Sequence, residues 1–218
     1  MTQALELSTI FQENKYVILK SFLEDPLLSV AYNYILMMDK IGKTDKGGLQ
    51  VPGSARLRYD AFIETLLEEL RPKVELAAGK KLHSSYAYVR IYKHGDVLTK
   101  HKDRAACEVA ITVTLGCDGS TNWPIYLNGP KGVSEITLEL GDALLYRGIE
   151  VEHWREKFSG EHQIQLMMFY VEQDGLYAEW KFDQRKQLGV VKPVTLKSKI
   201  NYLVKKVKLQ LDQLLGIS

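Results

Sequence analysis

Long apolar runs are missing from this sequence: no stretch approaches the roughly 18 consecutive apolar residues that cross a bilayer. Met1 to Gln12 carries Glu6 where an export signal would carry a basic flank. An unexported, cytoplasmic protein with no membrane association is expected. Cysteine is scarce as well. Cys107 falls in an apolar run and Cys117 in a Gly/Asp-rich turn, a placement that makes neither a zinc pair nor a disulfide framework. An excess of one charge is also lacking, since 29 Lys and Arg stand against 27 Asp and Glu, for a formal net charge of +2. That balance calls for neither nucleic acid nor an anionic membrane as partner. No repeat or low-complexity linker breaks the chain. What is present is enough apolar material, 45% of 218 residues, for one substantial core, so residues 1–218 are expected to form a single domain.

The periodicity changes character along the chain and divides it at 1–83, 84–172 and 173–218. Lys15 to Leu23 predicts a strand. Asp25-Pro26 then opens a helix to about Asp39, with Leu27, Val30, Ala31, Tyr34 and Met38 at helical spacing. A glycine-rich loop covers Gly42 to Gly53. Asp60 starts a second helix through Phe62, Leu66, Leu67 and Leu70, which Pro72 kinks or restarts and Gly79 ends.

From Ser84 to Val171 short β-runs alternate with turn residues: Tyr86 to Tyr92, Glu108 to Leu115, Pro124 to Leu127, Glu135 to Leu140, Ala143 to Tyr146 and Gln163 to Val171. This pattern predicts a sandwich, barrel or jelly roll. Ile200, Leu203, Val204, Val207, Leu211, Leu214 and Leu215 then form an apolar helical stripe. The simpler expectation packs it on the domain's own sheet, and the alternative is a homo-oligomer contact. The basic run from Lys197 to Lys208 is its solvated face.

His101 and Asp103 are two residues apart, so on an extended strand imidazole and carboxylate share a face and can reach one ion. The strand through Tyr88 to Tyr92 and the turn at His94-Gly95 place this pair at the mouth of a β-structure. His153, after the turn-and-strand segment Gly141 to Tyr146, adds a second imidazole. Two histidines and one carboxylate leave three positions open on Fe(II). A closed structural zinc site needs a fourth protein ligand, and none is evident.

Tyr88 to Val171 resembles the double-stranded β-helix core of the prolyl 4-hydroxylase-like branch of the Fe(II)/2-oxoglutarate-dependent oxygenases. The resemblance rests on Tyr92-Lys93-His94-Gly95 leading to His101-Lys102-Asp103, the strand around Ile111 to Leu115, Gly141 to Tyr146, His153, and the closing strand Gln163 to Val171. It implies a mainly β fold with flanking α: a jelly-roll core, N-terminal helices and a C-terminal amphipathic helix. It implies an enzyme that binds Fe(II) through His101, Asp103 and His153. 2-Oxoglutarate and O2 are then co-substrates and ascorbate an accessory reductant. Succinate and carbon dioxide are released as a C–H bond of a peptidyl residue, amino acid or biosynthetic intermediate is hydroxylated. Related halogenases replace the carboxylate with a small residue, so Asp103 points to hydroxylation.

The resemblance also implies a Lys or Arg on the closing strand for the distal carboxylate of 2-oxoglutarate. This chain has Gln163 there, which lacks a guanidinium's charge-assisted fork. Arg155, two residues past His153, is the first substitute, ahead of Arg90, His162 and Arg147. Tyr92 and Thr114 stand where such enzymes often supply a hydroxyl. Trp123, Trp154, Tyr86, Tyr88 and Tyr126 are expected as packing, Arg104 as a surface ion pair, an orienting partner of the Asp103 carboxylate or a contact to an acidic substrate, and His83 and His94 as ordinary polar positions. Two rival readings are a cupin-like binder of metal or small molecules without catalysis, and an interaction protein assembled through the terminal helix.

Overall fold

The computed structural model describes residues 2–48, 50–118 and 123–191, together with Val204, Val207 and Leu211. Helix α1 (Thr2–Asn14) adds to the sequence expectation; its Leu7, Ile10 and Phe11, three and four apart, turn one face to the core. The strand expected at 15–23 contracts to β1 (Tyr16–Leu19), and Ser21 beyond it has a positive φ of 47°. Helix α2 (Leu27–Lys40) follows, with Pro26 at its N-cap and no side-chain cap. Helix α3 (Ala61–Ala78) begins where the Asp60 carboxylate accepts from the Ile63 N–H at 3.1 Å. It runs unbroken through Pro72 and ends at Gly79, whose φ of 66° suits a left-handed cap. The predicted glycine loop contains the two-residue strand β2 (Asp45–Lys46), and β3 (Ala55–Arg58) follows it.

The remaining strands are β4 (Leu82–Lys93), β5 (Leu98–His101), β6 (Val109–Asp118), β7 (Ile125–Gly129), β8 (Gly132–Ile136), β9 (Ala143–Tyr146), β10 (Glu152–Arg155) and β11 (His162–Glu172). The strand expected over Glu135–Leu140 lies earlier, as β8. The tight β7–β8 hairpin pairs Gly129 with Gly132 and pulls the pairing toward its turn. All pairings are antiparallel, in a seven-stranded sheet of order β1-β9-β6-β11-β4-β3-β2 and a four-stranded sheet of order β5-β10-β7-β8. The architecture is mainly β, a double-stranded β-helix with helices on one side.

β4 and β11 lie at the centre of the large sheet, and alternation along them separates two interiors. Val89, Ile91, Ile164, Leu166 and Met168 pack toward the helices with Phe11, Ile35, Ile63 and Leu67. Tyr86, Tyr88, Met167 and Phe169 face the space between the sheets, with Ile125, Leu127 and Tyr146.

Most of the predicted C-terminal helix lies outside the described residues. Val204, Val207 and Leu211 are helical and 62%, 53% and 51% exposed. Among the described residues no helix is long and apolar enough to cross a membrane.

A short 3-10 segment (Ala178–Gln184) returns the chain to the sheet, and Arg185 fixes it there. Its guanidinium donates to both Glu64 carboxylate oxygens, at 3.0 and 2.6 Å, with both side chains 1% exposed. Removing one partner of such a pair strands a buried charge. Arg185→Met is expected to lower the unfolding free energy by about 3–5 kcal/mol. The double variant with Glu64→Leu loses less, and urea denaturation of the two variants checks the difference.

Candidate metal centre

β4 ends at a turn in which Gly95 has a φ of 87° and the Asp96 carboxylate accepts from the Lys93 N–H at 2.9 Å. The chain then crosses to the small sheet, where β5 and β10 pair with His101 opposite His153. This register sets two imidazoles side by side, with ring centroids 4.3 Å apart. Asp103 lies just beyond the end of β5, held by its own N–H donating to the Gly148 carbonyl at 2.9 Å. Ligand atoms of His101, Asp103 and His153 all lie within 4.8 Å of one another.

Main-chain carbonyls set the tautomers. His101 Nδ1 is 2.7 Å from the Thr99 carbonyl and His153 Nδ1 is 3.2 Å from the Val151 carbonyl. A carbonyl only accepts, so each Nδ1 carries the proton and each Nε2 turns a lone pair to the cluster. Both Nε2 atoms point at Asp103, at 3.7 and 3.9 Å from its two carboxylate oxygens. Asp103 Oδ2 is buried with no hydrogen-bond partner. A buried unpartnered carboxylate oxygen is costly unless a cation completes it.

Burial dominates the electrostatics. It pushes the Asp103 carboxyl up to about 7, partly offset by Arg104. Burial, with repulsion from His101, brings the His153 imidazole down to about 3, and burial also lowers His101. The histidines are therefore neutral and ready to ligate at neutral pH, while Asp103 still holds a proton part of the time, which a bound cation would displace.

The cluster opens into a cavity of about 350 Å³ between the sheets. Arg155, two residues past His153 on β10, lines it and is 3% exposed. One guanidinium nitrogen donates to the Trp123 carbonyl, and Nη2 is buried without a partner. Burial lowers the guanidinium to about 10, opposed by Tyr92 and Tyr146, so it stays charged at neutral pH.

Tyr92 lines the same cavity, and Arg90 does too; Thr114 and Gln163 do not. A bulge between Ile164 and Gln165 in the β11–β6 pairing puts Gln165 opposite Thr114. The polar groups lining this part are instead Gln165 and Thr112, joined at 3.0 Å, while the Thr114 hydroxyl supports Gln165 from behind at 2.9 Å.

The other candidates are occupied elsewhere. His162 meets the Tyr32 hydroxyl at 3.0 Å, and Arg147 pairs with Glu172 at 2.6 Å. Trp154 turns away from His153 and stacks on Tyr126, with centroids 5.5 Å apart. Tyr86 and Tyr88 line the cavity in addition to packing. Arg104 pairs with Asp183 at 2.7 Å and also lines the cavity.

Gly148 has no counterpart in the sequence reading. A Cβ there would lie 2.5 Å from Asp103 Oδ2 and would collide with the Cys107 carbonyl. Its spacing to any ligand carries no motif, and only the folded chain shows the close approach.

Among solved structures, this fold is similar to a prolyl-4-hydroxylase from Pseudomonas putida, with TM-score 0.63 and 12% identity over 78% of this chain and 98% of that one. It is similar to HygX from Streptomyces hygroscopicus, solved with nickel and 2-oxoglutarate bound, with TM-score 0.62 and 13% identity over 78% and 87%. It is also similar to the non-heme alpha-ketoglutarate-dependent epimerase SnoN of nogalamycin biosynthesis, with TM-score 0.67 and 11% identity over 78% and 83%. No protein-family model and no curated protein matches the chain. At these identities the likeness defines the fold: a double-stranded β-helix of the kind that 2-oxoglutarate oxygenases adopt, carrying in this chain a two-histidine, one-carboxylate cluster.

Gly148→Ala is expected to weaken Mn(II) binding by about tenfold or more while the fold persists. Affinity for Mn(II) in the unsubstituted protein should rise with pH up to about 7, because the cation displaces the Asp103 proton. Calorimetric titrations at several pH values check both.

Proposed function

We propose that the protein is an Fe(II)/2-oxoglutarate-dependent oxygenase that hydroxylates a C–H bond of its substrate. The observation that carries this reading is the cluster itself: two Nε2 lone pairs and a buried, unpartnered carboxylate oxygen converge at the floor of a cavity. That donor set suits a divalent iron with open positions for a chelating co-substrate. The residues present fit the metal.

His101 and His153 hold the ion through Nε2 and Asp103 through its carboxylate, while the Thr99 and Val151 carbonyls keep both rings oriented. Arg155 carries the distal carboxylate of 2-oxoglutarate. It sits on the same face of β10 as His153, is dry, and has an unused donor in Nη2. Tyr92 beside it supplies a hydroxyl. When bound, iron and 2-oxoglutarate together activate O2 for C–H oxidation, with succinate and carbon dioxide as the co-product pair. Ile125, Met167 and Phe169 in the cavity wall limit water around the reacting carbon. The fold's likeness to a prolyl-4-hydroxylase and to HygX, solved with 2-oxoglutarate bound, supports the class of chemistry.

Anaerobic addition of Fe(II) and 2-oxoglutarate should give a weak visible charge-transfer band, and succinate release in air should depend on Fe(II). Absence of the band overturns the reading in favour of a binder without oxidation. His101→Ala should abolish both signals. Arg155→Gln should raise the dissociation constant for 2-oxoglutarate by about tenfold or more while Mn(II) affinity changes little. An unchanged value removes Arg155 from this role.

A further inference from the structure

The cavity wall opposite the cluster carries more positive charge than the fold requires. In β3, Ala55 and Leu57 enter the core, so Arg56 and Arg58 stand on the cavity side. The register sets Arg56 directly opposite Arg90 of β4. Like charges directly opposite across a strand pair are destabilising. Asp45 of β2 answers both edge arginines, at 3.0 Å from Arg56 and 2.6 Å from Arg58, and its side chain is 45% exposed.

Arg90 is 2% exposed and lines the cavity; it donates to the Val51 carbonyl and the Ser54 hydroxyl, neither of which is charged. Its Nε is buried with no partner. The Arg56 and Arg90 guanidiniums converge on Gly48, where a Cβ would lie 3.1 Å from a nitrogen of each. Burial and repulsion from Arg58 and Arg90 lower the Arg56 guanidinium, with Asp45 opposing. Arg56 and Arg58 thus share one half-exposed carboxylate, and Arg90 beside them is hydrogen-bonded to no carboxylate among the described residues, with Asp96 acting on it at longer range. Arg104 at the far side is already matched by Asp183.

Beside this cluster lies an aromatic platform. Tyr86 and Phe169 stack with centroids 4.7 Å apart, and Tyr88 stacks on Phe169 at 5.8 Å. Arg90 lies over Tyr88, 5.7 Å from the ring centre. The cavity therefore offers a flat apolar surface next to an unbalanced cationic edge.

We propose that the substrate is a small anionic molecule whose carboxylate or phosphate is held by Arg56, Arg58 and Arg90 while its planar or apolar body lies on Tyr86, Tyr88 and Phe169. This deepens the oxygenase reading and rests on it: Arg155 anchors the co-substrate on β10, and the β3–β4 arginines anchor the substrate across the cavity.

The test uses the full chain loaded with Mn(II), titrated with phenyl phosphate, benzoate and benzyl alcohol, with and without saturating 2-oxoglutarate. The expected result is binding of phenyl phosphate or benzoate alongside 2-oxoglutarate, with benzyl alcohol weaker by about tenfold or more. Whichever anion binds tighter identifies the acidic group. The Arg56→Gln/Arg58→Gln variant should lose that binding by about tenfold or more, keep its 2-oxoglutarate affinity, and stay folded, since relief of the Arg56–Arg90 contact offsets the loss of the half-exposed pairs with Asp45. Arg58→Lys should recover part of the loss.

Equal binding of benzyl alcohol, an unchanged affinity in the double variant, or competition between the anions and 2-oxoglutarate overturns the proposal and leaves the iron site standing. Binding of the anions with the expected variant pattern, but none of 2-oxoglutarate, keeps the anion subsite and overturns the oxygenase reading instead.

Discussion

The alternation of β4 and β11 is the constraint on which everything else in this protein depends. Both strands are covered on two faces, and each face has its own chemistry: Val89, Ile91, Leu166 and Met168 meet the helices, while Tyr88, Arg90, Gln165 and Met167 meet the cavity. A slip of one residue would exchange the two sets, driving Arg90 into the helix-facing core and emptying the cavity of its polar groups. The cost of burying an unpaired guanidinium there adds to the apolar pattern in holding the register. Apolar packing and site chemistry are thus enforced by the same pairing.

The small sheet sets position. Its β5–β10 pairing brings together His101 and His153, which lie far apart in the chain, and main-chain carbonyls, which cannot change protonation, set the ring orientations. Asp103 hangs from the carbonyl of Gly148, at the corner after β9. Because the supports are backbone atoms, side-chain composition around the cluster can vary widely while its geometry persists.

Much of this was legible in the residues. Period-two runs announced the strands, Asp60 and Gly79 bracketed α3, and the spacing of His101 and Asp103 placed imidazole and carboxylate within reach of each other. Local signals failed where the deciding contacts are non-local. β3 alternates two arginines with Ala55 and Leu57 and lacks the apolar run that marked Ala143 to Tyr146, and so Arg56 and Arg58 were hidden beside a glycine loop. The bulge before Gln165 altered which polar groups reach the cavity, giving Thr112 and Gln165 in place of Thr114 and Gln163. Pro72 suggested a break, yet α3 runs through it, with Leu66, Leu67, Leu70 and Val74 buried on either side of it.

The tie between Arg185 and Glu64 reaches further than the helix it binds. It anchors the segment carrying Asp183, which with Arg104 lines one side of the cavity, to a helix on the far face of the sheet. Arg104 follows Asp103 in the chain, and its charge opposes the rise of that carboxyl. A substitution on the far side of the sheet is thus transmitted, through two ion pairs in series, to the carboxylate of the cluster.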